Sequence, residues 1–87
     1  MQYLLKIEDE ELLRAHLGAI HDYDPKANIF EKTEKSELGL ALITSSEDAA
    51  ALAKMFGCSN HPLSLHVAEQ AKKKGLSIGE LIARDYK

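Results

Sequence analysis

The segment Leu38-Gly-Leu-Ala-Leu-Ile-Thr44 is the most apolar run in the chain, and the rest of the sequence is arranged around it. At seven residues it is too short for a helix that buries itself, so it predicts a strand. Because side chains alternate along a strand, its three leucines point to one face and Gly39, Ala41 and Ile43 to the other. Both faces are apolar, which indicates a central strand covered on two sides.

A strand and a helix are predicted at the start of the chain. Tyr3, Leu5 and Ile7 alternate with Gln2 and Lys6, and Leu4 adds apolar surface behind them, which predicts a strand over residues 2–7. The acidic run that follows suits the positive end of a helix dipole, with Asp9 as the candidate N-cap, and apolar residues then recur at helical spacing. We therefore predict a first helix over residues 9–22.

A proline turn and an edge strand connect this helix to the central strand. Asp24-Pro25 ends the helix, because the residue before a proline avoids the helical region. Residues 29–34 mix β-branched and aromatic side chains with charges, as expected of an edge strand protected from pairing with another chain. A hairpin turn over residues 35–37 then leads into the central strand.

Three helices are predicted after the central strand. Ser45 is the expected N-cap of the second helix, which ends at Gly57. Residues 58–61 are expected to form a linker. A third helix is predicted over residues 61–74, with Gly75 closing it.

The last predicted helix has the clearest local signals in the chain. Ser77 and Glu80 have the spacing of a capping box, in which each residue satisfies the other's backbone N–H. Leu76 and Leu81 have the spacing of a hydrophobic staple. These signals predict a helix over residues 78–86.

The predicted element order, β-α-β-β-α-α-α, defines a small α+β fold. A right-handed crossover makes strands one and two parallel, and the hairpin makes strand three antiparallel to strand two. Placing strand three between them explains its two apolar faces and gives the order 1-3-2, which resembles the first half of a ferredoxin-like fold. The last two helices would stand where the final strand of that fold would be. We expect a single domain over residues 1–87, with a βαββα core over 1–57 and a C-terminal helical hairpin over 58–87. This likeness of topology implies no function.

Charge is unevenly distributed along the chain. The net charge is −3, but residues 1–50 hold 5 Lys/Arg against 11 Asp/Glu, whereas residues 51–87 hold 6 against 3. The two parts therefore carry −6 and +3. Such a split can orient the molecule on a charged partner or favour association with a second copy, as in a homodimer.

Composition favours a soluble, cytoplasmic protein. No apolar run approaches the roughly 20 residues of a membrane helix, so no membrane partner is expected. The N-terminal residues lack the pattern of a signal peptide. Cys58 is the only cysteine, which suits a reducing compartment.

One candidate site is a zinc site formed by Cys58, His61 and His66, whose spacing suits soft and imidazole ligands. A closed structural site needs a fourth ligand, which would come from a residue such as His21 or Asp22. The more ordinary interpretation is a buried cysteine with two surface histidines. We expect no cofactor, with zinc as the alternative.

The pair Cys58 and His61 also has the residue types of a nucleophile and its base. No third orienting group or oxyanion hole is evident in the sequence, and a chain of 87 residues has little room to enclose a substrate. We therefore expect the protein not to be an enzyme.

A second candidate is a DNA-binding surface. The segment from Val67 to Ile82 resembles a helix-turn-helix unit, with Gly75 in the turn and Leu81 anchoring the second helix. The run Gly-Leu-Ser-Ile-Gly-Glu-Leu-Ile-Ala-Arg, which begins at Gly75, also resembles the second helix of ribbon-helix-helix repressors. These resemblances imply a DNA-binding regulator that uses the hairpin over residues 61–87.

The leading expectation is a small non-enzymatic protein that acts by surface contact, as an adaptor, an inhibitor or a regulatory subunit. No motif identifies a chemical activity. The C-terminal hairpin has a capping box, a hydrophobic staple and a closing glycine, which are more stabilising features than a frayed helix end needs. A protein partner is expected first and nucleic acid second. The residues expected to contact the partner are Lys72, Lys73, Lys74, Arg84, Tyr86 and Lys87.

Overall fold

The computed structural model of the chain describes residues 2–30 and 39–85. The strands are Tyr3–Ile7 (β1), Asn28–Phe30 (β2), Ala41–Thr44 (β3) and Cys58–Asn60 (β4). The helices are Glu10–Ala15 (α1), Leu17–Tyr23 (α2), Glu47–Met55 (α3), Ser64–Lys74 (α4) and Ile78–Asp85 (α5). None of these helices has the length and apolar character needed to cross a membrane.

The strands form one antiparallel sheet in the order β2-β3-β1-β4. The predicted α+β class is confirmed, and so is the position of β3 between β1 and β2. The prediction of a three-stranded sheet is wrong. A linker is predicted over residues 58–61, but Cys58–Asn60 form β4, which pairs with the other edge of β1. Element order and strand order are therefore those of a complete β-α-β-β-α-β motif, with two helices added after it.

The fourth strand was missed because its sequence carries no strand pattern. Cys58-Ser-Asn60 has one apolar side chain and no β-branched residue. The strand is defined by its backbone, which pairs Ile7 with Cys58 and Leu5 with Asn60. The next residues continue as a turn containing Pro62, so α4 begins at Ser64 and not at residue 61.

Each face of the sheet is covered by its own layer of helices. One cluster of buried residues joins Leu5 and Leu42 to the helices α1, α2 and α3, which we call the first layer. A second cluster joins Leu4, Ala41 and Ile43 to α4 and α5, the second layer. The prediction that β3 is apolar on both faces is confirmed. The C-terminal helices occupy a face of the sheet, not the place of a missing strand.

Two helices of the first layer, α1 and α2, stand where one was predicted over residues 9–22. Asp9 caps α1 as expected, accepting a 3.1 Å hydrogen bond from the Leu12 N–H. The break falls at His16, whose backbone leaves the helical region and whose Nδ1 donates to the Leu12 carbonyl at 2.9 Å. The His16 ring stacks on Phe56, with ring centroids 3.8 Å apart, which fixes this corner against the end of α3.

The predicted N-cap of α3 is wrong by one residue. Ser46, not Ser45, accepts the hydrogen bond from the Ala49 N–H, at 3.1 Å. Both serines suit a cap, so composition alone does not separate them. Buried Ala49 and Ala53 then place α3 against the Leu42 face of the sheet.

Part of the predicted edge strand and its turn falls outside the described residues. The described portion of that strand is Asn28–Phe30, whereas residues 31–38, including the predicted turn over 35–37, are not described. The central strand is Ala41–Thr44, preceded by Gly39 with a φ of 61°. Tyr86 and Lys87 also lie outside the described residues.

Candidate functional site

The turn between α4 and α5 is built as the sequence predicts. Gly75 adopts the left-handed conformation, with a φ of 67°. Its N–H donates to the Lys72 carbonyl at 3.3 Å, and the Leu76 N–H donates to the Ala71 carbonyl at 2.9 Å. These bonds satisfy carbonyls at the end of α4 and fix the direction in which the chain leaves the helix.

The predicted capping box at the start of α5 is confirmed. The Ser77 N–H donates to Glu80 Oε1 at 3.0 Å, and the Glu80 N–H donates to Ser77 Oγ at 3.1 Å. The hydrogen bonds from the backbone N–H and hydroxyl of Ser77 hold the pKa of the Glu80 carboxyl below its usual range. Leu76 and Leu81 both belong to the second-layer cluster, as the predicted staple requires.

A contact between distant parts of the chain ties this hairpin to the sheet. The Gly79 N–H in the first turn of α5 donates to the side-chain oxygen of Gln2 at 3.0 Å. Gln2 immediately precedes β1, so the start of the chain holds the start of the last helix. No local pattern signals this contact, because 77 positions separate the two residues.

The residues predicted to contact a partner are only partly brought together. Lys72, Lys73 and Lys74 form the exposed last turn of α4, which we call the lysine run. Arg84 is exposed in the last turn of α5, roughly 9 Å along the helix axis from Ile78. The structure therefore places the lysine run beside the turn and Arg84 at the far end of α5.

A groove of about 410 Å³ opens beside the lysine run, between the side of α4 and the start of α5. Ala71 and Ile78 in its wall are buried and Leu76 is half-buried, so its floor is apolar. Lys72 provides a charged rim. Its lining residues are Gln2, Ala68, Ala71, Lys72, Leu76, Ser77 and Ile78.

A neighbouring depression adjoins this groove on the side of β4. This second depression, of about 190 Å³, shares Gln2, Ala68 and Ile78 with the first and extends to Leu65. Leu65 is 79% exposed. Leu65 and Lys72 lie on one side of α4, seven residues or roughly 10 Å apart along the helix axis. We call the two adjoining depressions together the side groove.

The charge asymmetry of the sequence becomes a difference between the two layers. In the first layer, the N-terminal turns of α1 and α3 expose acidic residues, which are Glu8, Asp9, Glu10, Glu11, Glu47 and Asp48. In the second layer, the C-terminal turn of α4 exposes the lysine run. A charged partner therefore meets a different potential on each side of the sheet.

The three residues of the predicted zinc site lie in different environments. Cys58 is on β4 and belongs to the first-layer core, with 6% of its surface exposed. His61 is 5% exposed, and its Nδ1 accepts a 3.1 Å hydrogen bond from the Leu63 N–H. His66 is exposed on α4. Across residues 2–30 and 39–85, no three His, Cys, Asp or Glu side chains are grouped so that they could hold a metal ion.

Burial also disfavours Cys58 as a nucleophile. Desolvation, with a smaller contribution from the negative charge of Glu8, raises the pKa of the Cys58 thiol to about 11. At neutral pH the group is therefore a thiol, whereas nucleophilic cysteines need a lowered pKa. The lone pair on His61 Nδ1 is already used by Leu63.

The structure contains the turn that the helix-turn-helix resemblance implies. The orientation of the second helix, however, is set by its packing against the sheet. Ile78, Leu81 and Ile82 are buried, and the side of α5 that carries them packs against the sheet. The exposed positions of α5 then include Glu80 and Arg84, which have opposite charges. DNA binding remains a prediction.

Comparison with known proteins supplies no relative from which to infer a function. Neither a protein-family model, nor a curated protein, nor a solved structure matches this chain.

Proposed function

We propose that this protein is a small interaction module, acting as an adaptor, an inhibitor or a regulatory subunit, and that it binds a partner protein through the outer side of the second layer. The observation that supports the proposal is the apolar side groove, which lies directly beside the lysine run. An apolar depression with a charged rim is a common form of protein-binding surface.

The structural role of the second layer does not account for these outer features. Covering the sheet uses the buried side of α4 and α5, where Val67, Leu81 and Ile82 are fully enclosed. Leu65 contributes little to that core, because 79% of its surface is exposed. Lysines in the last turn complement the helix dipole, but that role requires no groove beside them.

The structure makes surface substitutions a more informative test of binding than truncation of the chain. Deleting residues after Gly75 would remove the buried side chains of α5, so loss of binding would then report only unfolding. Surface substitutions avoid this difficulty, because replacement of exposed residues usually changes stability by less than about 0.5 kcal/mol.

The test is affinity purification from the native cell, with nucleases present, using the wild-type chain and a variant carrying Lys72→Glu and Lys73→Glu. The matched control is Lys54→Glu, an exposed lysine in the last turn of α3 in the first layer. We expect a partner protein that is retained by the wild type and the control but lost by the double variant. A partner retained equally by the folded double variant would contradict the proposal.

A further inference from the structure

We propose that the side groove takes an acidic amphipathic helical segment of a partner protein, an inference that rests on the proposed function and names the chemistry of its partner. The apolar side chains of this segment enter the groove. Its carboxylates lie along the rim that Lys72 provides, at the start of the lysine run.

The shape of the groove supports a helical segment as its occupant. Its two adjoining depressions border α4 over about two helical turns, from Leu65 to Lys72. Helices bind such grooves through apolar residues spaced i, i+3 or i+4, and i+7, which cover the same length. The two parts, of about 410 and 190 Å³, provide separate places for successive apolar side chains.

Charge selects the kind of helix. Lys72 lines the groove, and Lys73 is the neighbouring exposed cation of the same turn. A segment with carboxylates beside its apolar stripe complements these lysines, whereas a basic segment is repelled. The acidic first layer lies on the opposite side of the sheet and does not compete for this rim.

The probe is a labelled helical peptide of roughly 16 residues, long enough to be partly helical alone, with leucines at i, i+3 and i+7 and glutamates flanking them. Its binding to the 87-residue chain is followed by fluorescence anisotropy. One control peptide replaces each glutamate with lysine, and a second replaces each leucine with serine. We expect binding by the first peptide alone, and weaker binding at high salt.

Chain variants locate the binding site. Lys72→Glu with Lys73→Glu is expected to raise the Kd about tenfold, because the attraction of this helix turn for carboxylates becomes repulsion. Ala68→Trp fills the groove and is expected to abolish binding, whereas Ala51→Trp, at an exposed alanine of α3, leaves the Kd unchanged. Thermal unfolding establishes that each variant is folded.

A second pair of variants applies if Ala68→Trp does not fold. Leu65→Ser removes the exposed side chain at the end of the groove and is expected to raise the Kd about tenfold. Its control is Met55→Ser, since Met55 is 73% exposed in the first layer. Equal effects of the two substitutions would overturn the proposal.

Other outcomes separate this inference from the proposed function. If the native partner depends on the two lysines but is unaffected by Ala68→Trp and Leu65→Ser, the inference about the groove is wrong and the proposed function stands. If the wild-type chain self-associates through the same residues in sedimentation, the occupant is a second copy and the inference is wrong. Equally strong binding of the lysine-containing control peptide would also contradict it.

Discussion

Asp24 accepts a 2.6 Å hydrogen bond from the hydroxyl of Thr44, and this contact joins the end of α2 to the end of β3. The same Asp24 oxygen accepts from the Ser45 N–H at 3.1 Å, and the other oxygen accepts from the Lys26 N–H at 3.0 Å. One carboxylate therefore organises the proline turn and the entry to α3. These hydrogen bonds, foremost that from Thr44, hold the pKa of the Asp24 carboxyl below its usual range.

Asp24 should make the stability of the protein sensitive to acid. Because the pKa is lower in the folded state, the stabilisation is present above the ordinary aspartate pKa of about 3.9 and is lost as pH falls through the folded-state pKa. Asp24→Asn should lower the free energy of unfolding at neutral pH and reduce its decline below about pH 4. Urea unfolding across this pH range measures both effects. Asp22→Asn, at an exposed neighbour, is the control and should behave as the wild type.

Replacement by alanine should lower the free energy of unfolding by different amounts at Gly75 and Gly57, which both adopt the left-handed conformation. Gly75 has open space where a Cβ would lie, so Gly75→Ala should cost about 1–2 kcal/mol from backbone strain alone. At Gly57, with a φ of 86°, a Cβ would lie 2.8 Å from the Asp9 carbonyl oxygen, and Gly57→Ala should cost about 1–3 kcal/mol more. Denaturant unfolding of the two variants measures the difference. Equal losses would contradict the close approach of the chain at Asp9.

The two serines before α3 provide a similar comparison. Ser46→Ala should destabilise the protein by about 1 kcal/mol, because it removes the hydrogen bond to the Ala49 N–H. Ser45→Ala should change stability by less than about 0.5 kcal/mol, since Ser45 contributes its backbone N–H to Asp24 and alanine retains that group. Thermal unfolding of both variants checks the assignment. A larger loss for Ser45→Ala would restore the cap first predicted from the sequence.

Cys58 should react slowly with thiol reagents in the folded protein. Its raised pKa of about 11 lowers the thiolate fraction at pH 8 about a hundredfold relative to an ordinary cysteine, and burial hinders access further. Labelling with a chromogenic disulfide should therefore be slow in buffer and fast in urea. Rapid labelling in buffer would show that β4 opens readily from the edge of the sheet.

The α5 helix should be essential for folding, although it is the last element of the sheet's second layer. Leu81 is fully buried, so Leu81→Ala should cost about 2–5 kcal/mol. A chain ending at Gly75 should lose its cooperative thermal transition, because Leu4 and Ile43 would be uncovered. Ala83→Ser, on the exposed side of α5, is the control and should leave the melting temperature nearly unchanged. A cooperative transition in the shortened chain would show that α5 is dispensable for the core.

Features encoded by short-range patterns were predictable from the sequence. The apolar faces of β3, the Asp9 cap, the left-handed Gly75 and the Ser77–Glu80 capping box each depend on residues within a few positions of one another. The position of β3 between β1 and β2 followed from its two apolar faces, which need cover on both sides.

Features that depend on distant partners were not predictable. The backbone of β4 becomes a strand because β1 offers it a free edge, and its side chains give no indication of this. The bend at His16 accompanies stacking on Phe56, which is remote in sequence. The lysine run is visible in the sequence, but the groove beside it combines the start of β1 with α4 and α5, so only the folded structure reveals it.

The central position of β1 has a consequence for how the chain acquires its structure. Tyr3 pairs with Thr44 and Leu5 with Asn60, so β1 leaves the ribosome before either of its partner strands and must wait for both. Large loops must close before the sheet gains any cross-strand hydrogen bond on β1, which slows folding relative to a bundle of helices with local contacts. We therefore expect the nascent chain to keep Leu4 and Leu5 exposed until residue 60 has been synthesised. During that interval these side chains are available to chaperones and to aggregation.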